Sequence, residues 1–193
     1  MPRIDRREQI SAAVFAGIAE RGLEGLRTRD VAARAGVNIA TVHYYFATKE
    51  DLIAAAYQRL QQRFGAYLPE TGTPAERLTH HLTGVLELLI DDAELRRVLA
   101  ELALRANRDP RLAGDIAAAE DAWLTSLRDL VATGTEQGSW AIEVDPDAFA
   151  ATCVAMLKGC CIPTLLTTRA DELRRAIDQL LSWLTGAGSA RDT

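Results

Sequence analysis

The sequence predicts an all-α protein of about nine helices: an N-terminal three-helix, helix-turn-helix domain followed by a larger C-terminal helical domain. Three observations carry this. Apolar residues recur at helical spacing through almost every segment. Alanine and leucine abound while aromatic residues make up only 6% of the chain, which favours helix over sheet. Glycines, prolines and capping residues fall mainly between the periodic segments. No segment shows strand alternation, and no internal repeat is visible.

Taken in order, Ile10, Val14 and Ile18 put one apolar face on a first helix over 5–20, ended by Arg21-Gly22. A second helix fits 28–35, with Val31, Ala32 and Ala35 inward and Gly36 just past it, where a left-handed residue commonly ends a helix. Asn38 caps a third helix over 39–45. Thr48, with Asp51 three residues on, caps a fourth over 48–67. Pro69 to Pro74 reads as a linker. Five more helices are expected at 75–90, 93–106, 111–137, 146–168 and 170–185, and the tail from Gly186 reads as frayed. The domain division is placed at 1–50 and 51–193, with the fourth helix connecting them.

Composition narrows the function classes. The net charge of −5 is uneven: residues 1–68 hold ten Arg/Lys against seven Asp/Glu, and the rest hold twelve against twenty. A basic N-terminal piece on an acidic body suits a nucleic-acid module. No basic-then-apolar leader is seen, and the most apolar stretch, Phe149 to Leu166, is broken by Lys158 and Pro163. A cytoplasmic protein with no membrane partner is expected. The three cysteines, Cys153, Cys160 and Cys161, read as reduced, buried thiols, since Cys153 and Cys160 lie two helical turns apart. His80 and His81 point about 100° apart on a helix and make a poor chelate, so no metal is expected. No glycine-rich phosphate loop, His-Glu-x-x-His or nucleophile elbow is present, so neither enzyme chemistry nor a cofactor is expected.

The informative segment runs from Thr28 to Leu52. Val31, Ala35, Val37, Val42 and Phe46 form a small core between two short helices around the turn Gly36-Val37-Asn38, and Tyr45 joins the core. Ile39, Ala40, Thr41, His43 and Tyr44 then point away. A short helix with that outward face suits the major groove, its first turn toward the base edges.

Ala35-Gly36-Val37-Asn38 followed by His43-Tyr44-Tyr45-Phe46-Ala47-Thr48-Lys49-Glu50-Asp51-Leu52 resembles the TetR (tetracycline-repressor) family of bacterial regulators, over residues 5–64. The family pattern is Ala-Gly-Val-Ser, then Tyr-x-Tyr-Phe, then Lys-Glu-x-Leu. His43 stands for the usual tyrosine, Asn38 for the common serine, and Arg27 at the usual cap before the second helix. The resemblance implies a homodimeric DNA-binding regulator, most often a repressor, that leaves a near-palindromic double-stranded operator when an unidentified small-molecule effector binds the C-terminal domain. It places Thr28, Tyr44 and Lys49 on phosphates, and Arg29, Ile39, Ala40, Thr41 and His43 at base edges. The alternatives are a helical interaction module and a small helical enzyme without DNA binding.

The resemblance also locates the dimer on the last two helices. Their sequence agrees: Leu173, Ile177, Leu180 and Leu184 step by four, three and four, beside the small residues Ala151, Ala155 and Gly159. The long seventh helix carries Ile116, Trp123, Leu127 and Leu130 near one stripe. Tyr57, His81, Leu88, Arg105, Trp123 and Met156 are the positional candidates for an effector pocket, each read more readily as plain core.

Overall fold

Side-chain caps open most helices of the computed structural model, which describes residues 5–161 and 163–186 and, for 163–165, the backbone alone. Among the described residues there are nine helices and no strand: α1 Arg6–Gly25, α2 Thr28–Arg34, α3 Ile39–Tyr45, α4 Lys49–Gly65, α5 Pro74–Asp91, α6 Ala93–Ala106, α7 Pro110–Glu136, α8 Pro146–Gly159 and α9 Pro163–Thr185. Asp5, Asn38, Asp92, Asp109 and Asp145 each accept a first-turn N–H, at 2.7–3.2 Å. Thr48 with Asp51, and Thr73 with Glu76, form reciprocal boxes at the starts of α4 and α5. Each satisfies donors that a helix start otherwise leaves open.

The expected helix over 146–168 is corrected. Proline at 163 has no N–H to offer the carbonyl of Gly159. So α8 stops at Gly159, Cys160 and Cys161 turn the chain, and α9 starts at Pro163. Arg169, with φ −137°, breaks the helical geometry inside α9, where the sequence reading put its boundary. Residues 187–193 of the expected frayed tail lie outside the described residues. Among the described residues, no helix is long and apolar enough to cross a membrane.

The chain packs as two units, Met1–Arg63 with Asp92–Ile116, and Phe64–Asp91 with Ala117–Thr193. In the first, Ile10, Val14, Phe15 and Ile18 of α1 are buried together with Leu52, Ile53 and Leu60 of α4 and Leu95, Val98 and Leu102 of α6. α6 packs on α1, and α2 on both α1 and α3. Ser11 Oγ donates to the Ala55 carbonyl at 3.3 Å, and Arg59 pairs with Glu8, tying α1 to α4. In the second, Leu78, Leu82, Val85, Leu86 and Leu89 of α5 supply buried apolar surface, as do Leu127, Leu130 and Val131 of α7 and Ile177, Leu181 and Leu184 of α9. Arg174 of α9 grips Glu87 of α5 with two bonds of 2.7 Å. Trp140 Nε1 donates to the Val131 carbonyl at 2.9 Å, its ring lying over Gly134 where any Cβ would collide.

All three thiols are shielded. Burial pushes Cys153 up to about 12 and Cys161 to about 11, and raises Cys160 as well. A thiolate is the reactive form, and burial disfavours it at all three positions.

Candidate nucleic-acid interface

The short helix α3 stands on a small core. Val31, Ala35, Val42 and Phe46 are buried beneath it and Val37 is half-buried. Arg7 lies over the Phe46 ring, 5.1 Å from its centroid, and closes that core from the α1 side. Gly36, at φ 61°, makes the left-handed turn that sends α3 across α2. Two ion pairs lash α2 to α1, Arg21 with Asp30 and Arg34 with Glu20.

On this base the expected outward residues do face solvent. Ile39, Ala40, His43 and Tyr44 are exposed, and Thr41 is half-buried. Tyr44 is 83% exposed, its ring edge-on to the half-buried Tyr45 at 5.1 Å. Ile39, at 48% exposure, adds an apolar side chain to the same outward face. Thr41 is already engaged: its N–H and its hydroxyl both bond Asn38 Oδ1, at 2.7 and 2.9 Å. Its hydroxyl proton is therefore spent, which leaves the methyl and the acceptor side of the hydroxyl oxygen. Among the described residues, no hydrogen bond or ion pair holds His43 or Lys49.

Lys49 opens α4 inside the Thr48–Asp51 box, with both its ammonium and the helix N-terminus presented to solvent. The Thr48 hydrogen bonds hold the Asp51 carboxyl below its usual range, so it stays an acceptor. Thr28 is the first residue of α2, half-buried. Arg29 beside it is exposed, with Nε 3.5 Å from Asp30. Arg27 precedes α2 without a side-chain cap bond, and Thr28 does not cap either. Arg21, Arg34, Arg59 and Arg63 are consumed by internal ion pairs. The basic excess counted from sequence therefore overstates what this face presents, while Arg27, Arg29 and Lys49 are exposed on it.

The remaining candidates divide. Tyr57 and Arg105 fall in the first unit, where Arg105 Nε holds Asp109 at 3.2 Å. His81, Leu88, Trp123 and Met156 fall in the second. Of these, His81 and Trp123 meet directly: Trp123 Nε1 donates to His81 Nε2 at 2.8 Å. His80 instead donates from Nδ1 to the Tyr67 carbonyl at 3.1 Å.

The expected seam on α9 is corrected. Ile177 and Leu184 are 1% and 0% exposed, packed inside their own unit, and leave no area for a partner. The outward edge of α9 is Leu173, Ala176, Leu180 and Trp183, the last 62% exposed. On α8, Ala151 and Ala155 are exposed and Gly159 is half-buried. Trp183 was missed because both edges of α9 carry apolar residues at helical spacing, and periodicity alone does not say which edge turns inward. Glu101, whose carboxylate holds the end of α1, had no local signal: its partner lies 78 residues away.

Comparison with known proteins agrees with this geometry. A family model described as bacterial regulatory proteins, tetR family, matches residues 10–56. A second, BetI-type transcriptional repressor, C-terminal, matches residues 74–188. The HTH-type transcriptional regulator PksA of Bacillus subtilis is 26% identical over 182 residues, covering 90% of this chain and 87% of its own. BetI of Brucella canis is 36% identical over 87 residues, which is 40% of this chain and 43% of its own. Among solved structures, a TetR-family regulator from Rhodococcus sp. superposes with a TM-score of 0.78 at 26% identity, covering 93% of this chain and 98% of that one. A regulator from Saccharomonospora viridis in complex with choline gives 0.73 at 24% identity, covering 91% and 95%. With an N-terminal reading head and a C-terminal region that each match the family's own models, the chain belongs to the TetR family of DNA-binding transcription regulators.

Proposed function

We propose that the chain is a cytoplasmic homodimeric repressor which holds a near-palindromic operator and releases it when a small molecule binds the C-terminal region. The division into a reading domain at 1–50 and a ligand-binding and dimerisation domain at 51–193 belongs to the same reading. The observation that carries it is the outward face of α3, where Ile39, Ala40, His43 and Tyr44 are exposed over a small core of their own. Ile39, Ala40, the Thr41 methyl, His43 and Arg29 read base edges, while Thr28, Tyr44 and Lys49 hold phosphates. One reading helix per subunit, related by a two-fold axis, requires an inverted repeat. Leu173, Ala176, Leu180 and Trp183 with Ala151, Ala155 and Gly159 supply the self-complementary face. Choline, bound by the Saccharomonospora viridis regulator, belongs among the effectors to be tried. Footprinting on fragments selected from random DNA tests the core of this reading: two protected, inverted half-sites are expected, and a single asymmetric half-site would overturn it.

A further inference from the structure

Arg105, Arg108 and Arg111 fall close together where α6 turns into α7, outside the helix-turn-helix. Their situations differ. Arg105 Nε is held by Asp109 at 3.2 Å. Arg108 and Arg111 are exposed, and among the described residues no hydrogen bond or ion pair engages either side chain. The turn beneath them is firmly built. The N–H groups of Arg108 and Asp109 bond back to the Arg105 and Ala106 carbonyls at 2.9 and 3.3 Å. Asp109 Oδ1 accepts the Leu112 N–H at 3.2 Å, and the Leu112 side chain is buried. Pro110 starts α7 with its φ already set for a helix. The backbone on both sides of Arg111 is therefore fixed while its side chain is left in solvent.

This turn lies against the reading head at two points. α6 packs on α1, and Glu101, little more than one helical turn before α6 ends, accepts the Leu23 N–H at 2.8 Å beside the join of α1 to α2. The second point is Asp51. The Thr48 hydrogen bonds hold its carboxyl below the ordinary range, burial opposes them, and the charge of Arg111 adds to them, which puts that guanidinium near the start of α4. Asp51 accepts the Thr48 N–H and forms no ion pair with Arg111, so the arginine is not spent there. The two points adjoin the two helix starts assigned to phosphates, α2 with Thr28 and α4 with Lys49. A guanidinium is always charged, and its fork matches a pair of phosphate oxygens. We propose that Arg108 and Arg111 hold backbone phosphates of the operator beyond those held by Thr28, Tyr44 and Lys49, making the α6–α7 turn part of the DNA-binding surface. This rests on the DNA-binding repressor reading above. Contacts to the backbone position the protein and carry no base preference of their own.

The test uses the full-length protein, a long duplex carrying its selected operator, and a scrambled duplex of the same length. Arg108→Ala and Arg111→Ala should each weaken binding to both duplexes several-fold and flatten the salt dependence by about one unit of slope, and the double variant by about two. Arg111→Lys, which keeps the charge, should keep the native slope. The melting midpoint of the free protein should not move, because neither side chain holds another part of the fold. Ethylation interference then places the contacts. The double variant should lose sensitivity at phosphates in each half-site that Lys49→Ala still reads. Should the alanine variants fail to fold, Arg108→Gln with Arg111→Gln keeps the aliphatic stems and carries the same comparison. The inference is overturned if the double variant keeps the native salt slope, or if its interference pattern matches the native one. In either case, operator binding that weakens in Lys49→Ala leaves the repressor reading intact. A native protein that binds no operator overturns that reading first.

Discussion

The Glu101 carboxylate on α6 accepts the backbone N–H of Leu23 at 2.8 Å, closing the end of α1 from outside. Just before it, Gly22 leaves the helix at φ 69°, and a Cβ there would lie 3.0–3.2 Å from the same carboxylate. The last turn of α1 is thus a short restarted helix, capped by a side chain from α6 as an N-cap residue would cap it. That turn leads through Leu26 and Arg27 into α2. Besides the Arg21–Asp30 and Arg34–Glu20 pairs, the join between α1 and the reading head thus includes a bond that no local sequence pattern announces.

Glu101→Ala should lose about 1–2 kcal/mol by leaving the Leu23 N–H half-buried without its partner. Gly22→Ala should cost a similar amount, because alanine pays for a left-handed backbone and crowds the carboxylate. The double variant should lose less than the two losses combined, since removing the carboxylate relieves the crowding. Urea titrations of the four proteins measure this. Strict additivity would show that the two residues do not share the contact.

Stability should also depend on pH through His81. Its folded pKa of about 4 lies below the unfolded value near 6.5, so between those limits the unfolded chain binds a proton that the folded one refuses. The stability tied to this group is fully present above about pH 6.5 and falls as pH drops toward 4, by about 3 kcal/mol over the whole window. The depressed carboxyls of Glu87 and Asp92 lose their contribution only lower, below their ordinary carboxylate range. Denaturation at pH 7.5, 6 and 5 should show a decline in the native protein that is largely missing from His81→Phe. Parallel declines in the two proteins would mean that His81 is not the group responsible.

The fold was largely readable because helices declare themselves locally. Asn38, the Thr48–Asp51 pair and Gly36 each act within a few residues of their own position, and the structure shows each in the capping or turning role that its chemistry suggests. The outward face of α3 was readable for the same reason: Val42 and Phe46 mark the inner stripe, and a seven-residue helix leaves little choice for the rest. What was hidden depends on partners distant in sequence. Ile177 and Leu184 were assigned to the wrong edge of α9 because only the packing of α9 on α5 decides which edge is inward. The bond between Trp123 and His81 joins residues 42 positions apart.

That choice of edge makes the dimer proposal testable. Leu180→Arg or Trp183→Arg puts a charge on the outward edge of α9, and should shift the protein from dimer to monomer with little change in the monomer's own stability. Ile177→Ala should do the reverse, losing about 2–5 kcal/mol of folding stability through a core cavity while the surviving folded protein still associates. Sedimentation equilibrium over a concentration series separates the effects. A Trp183→Arg protein that stays a tight dimer would move the interface elsewhere.

On DNA, positioning and reading should separate cleanly. Lys49 is exposed at the start of α4, where its charge and the helix N-terminus favour a phosphate. Lys49→Ala should weaken binding to the operator and to scrambled DNA alike, and flatten the salt dependence by about one unit of slope. Thr41 donates its hydroxyl proton to Asn38 Oδ1, so it has a methyl and no hydroxyl donor to offer the groove. Thr41→Ser keeps the tie and removes the methyl. It should therefore lower preference at one thymine by roughly 1 kcal/mol and leave affinity for scrambled DNA unchanged. His43→Ala should shift preference at a different position, since its side chain projects from α3 two residues further along. Titrations of each variant against operator, single-base operator variants and scrambled duplex, across a salt series, give all three quantities. If Thr41→Ser lowered binding to every duplex equally while Lys49→Ala changed base preference, the roles assigned along this face would have to be exchanged.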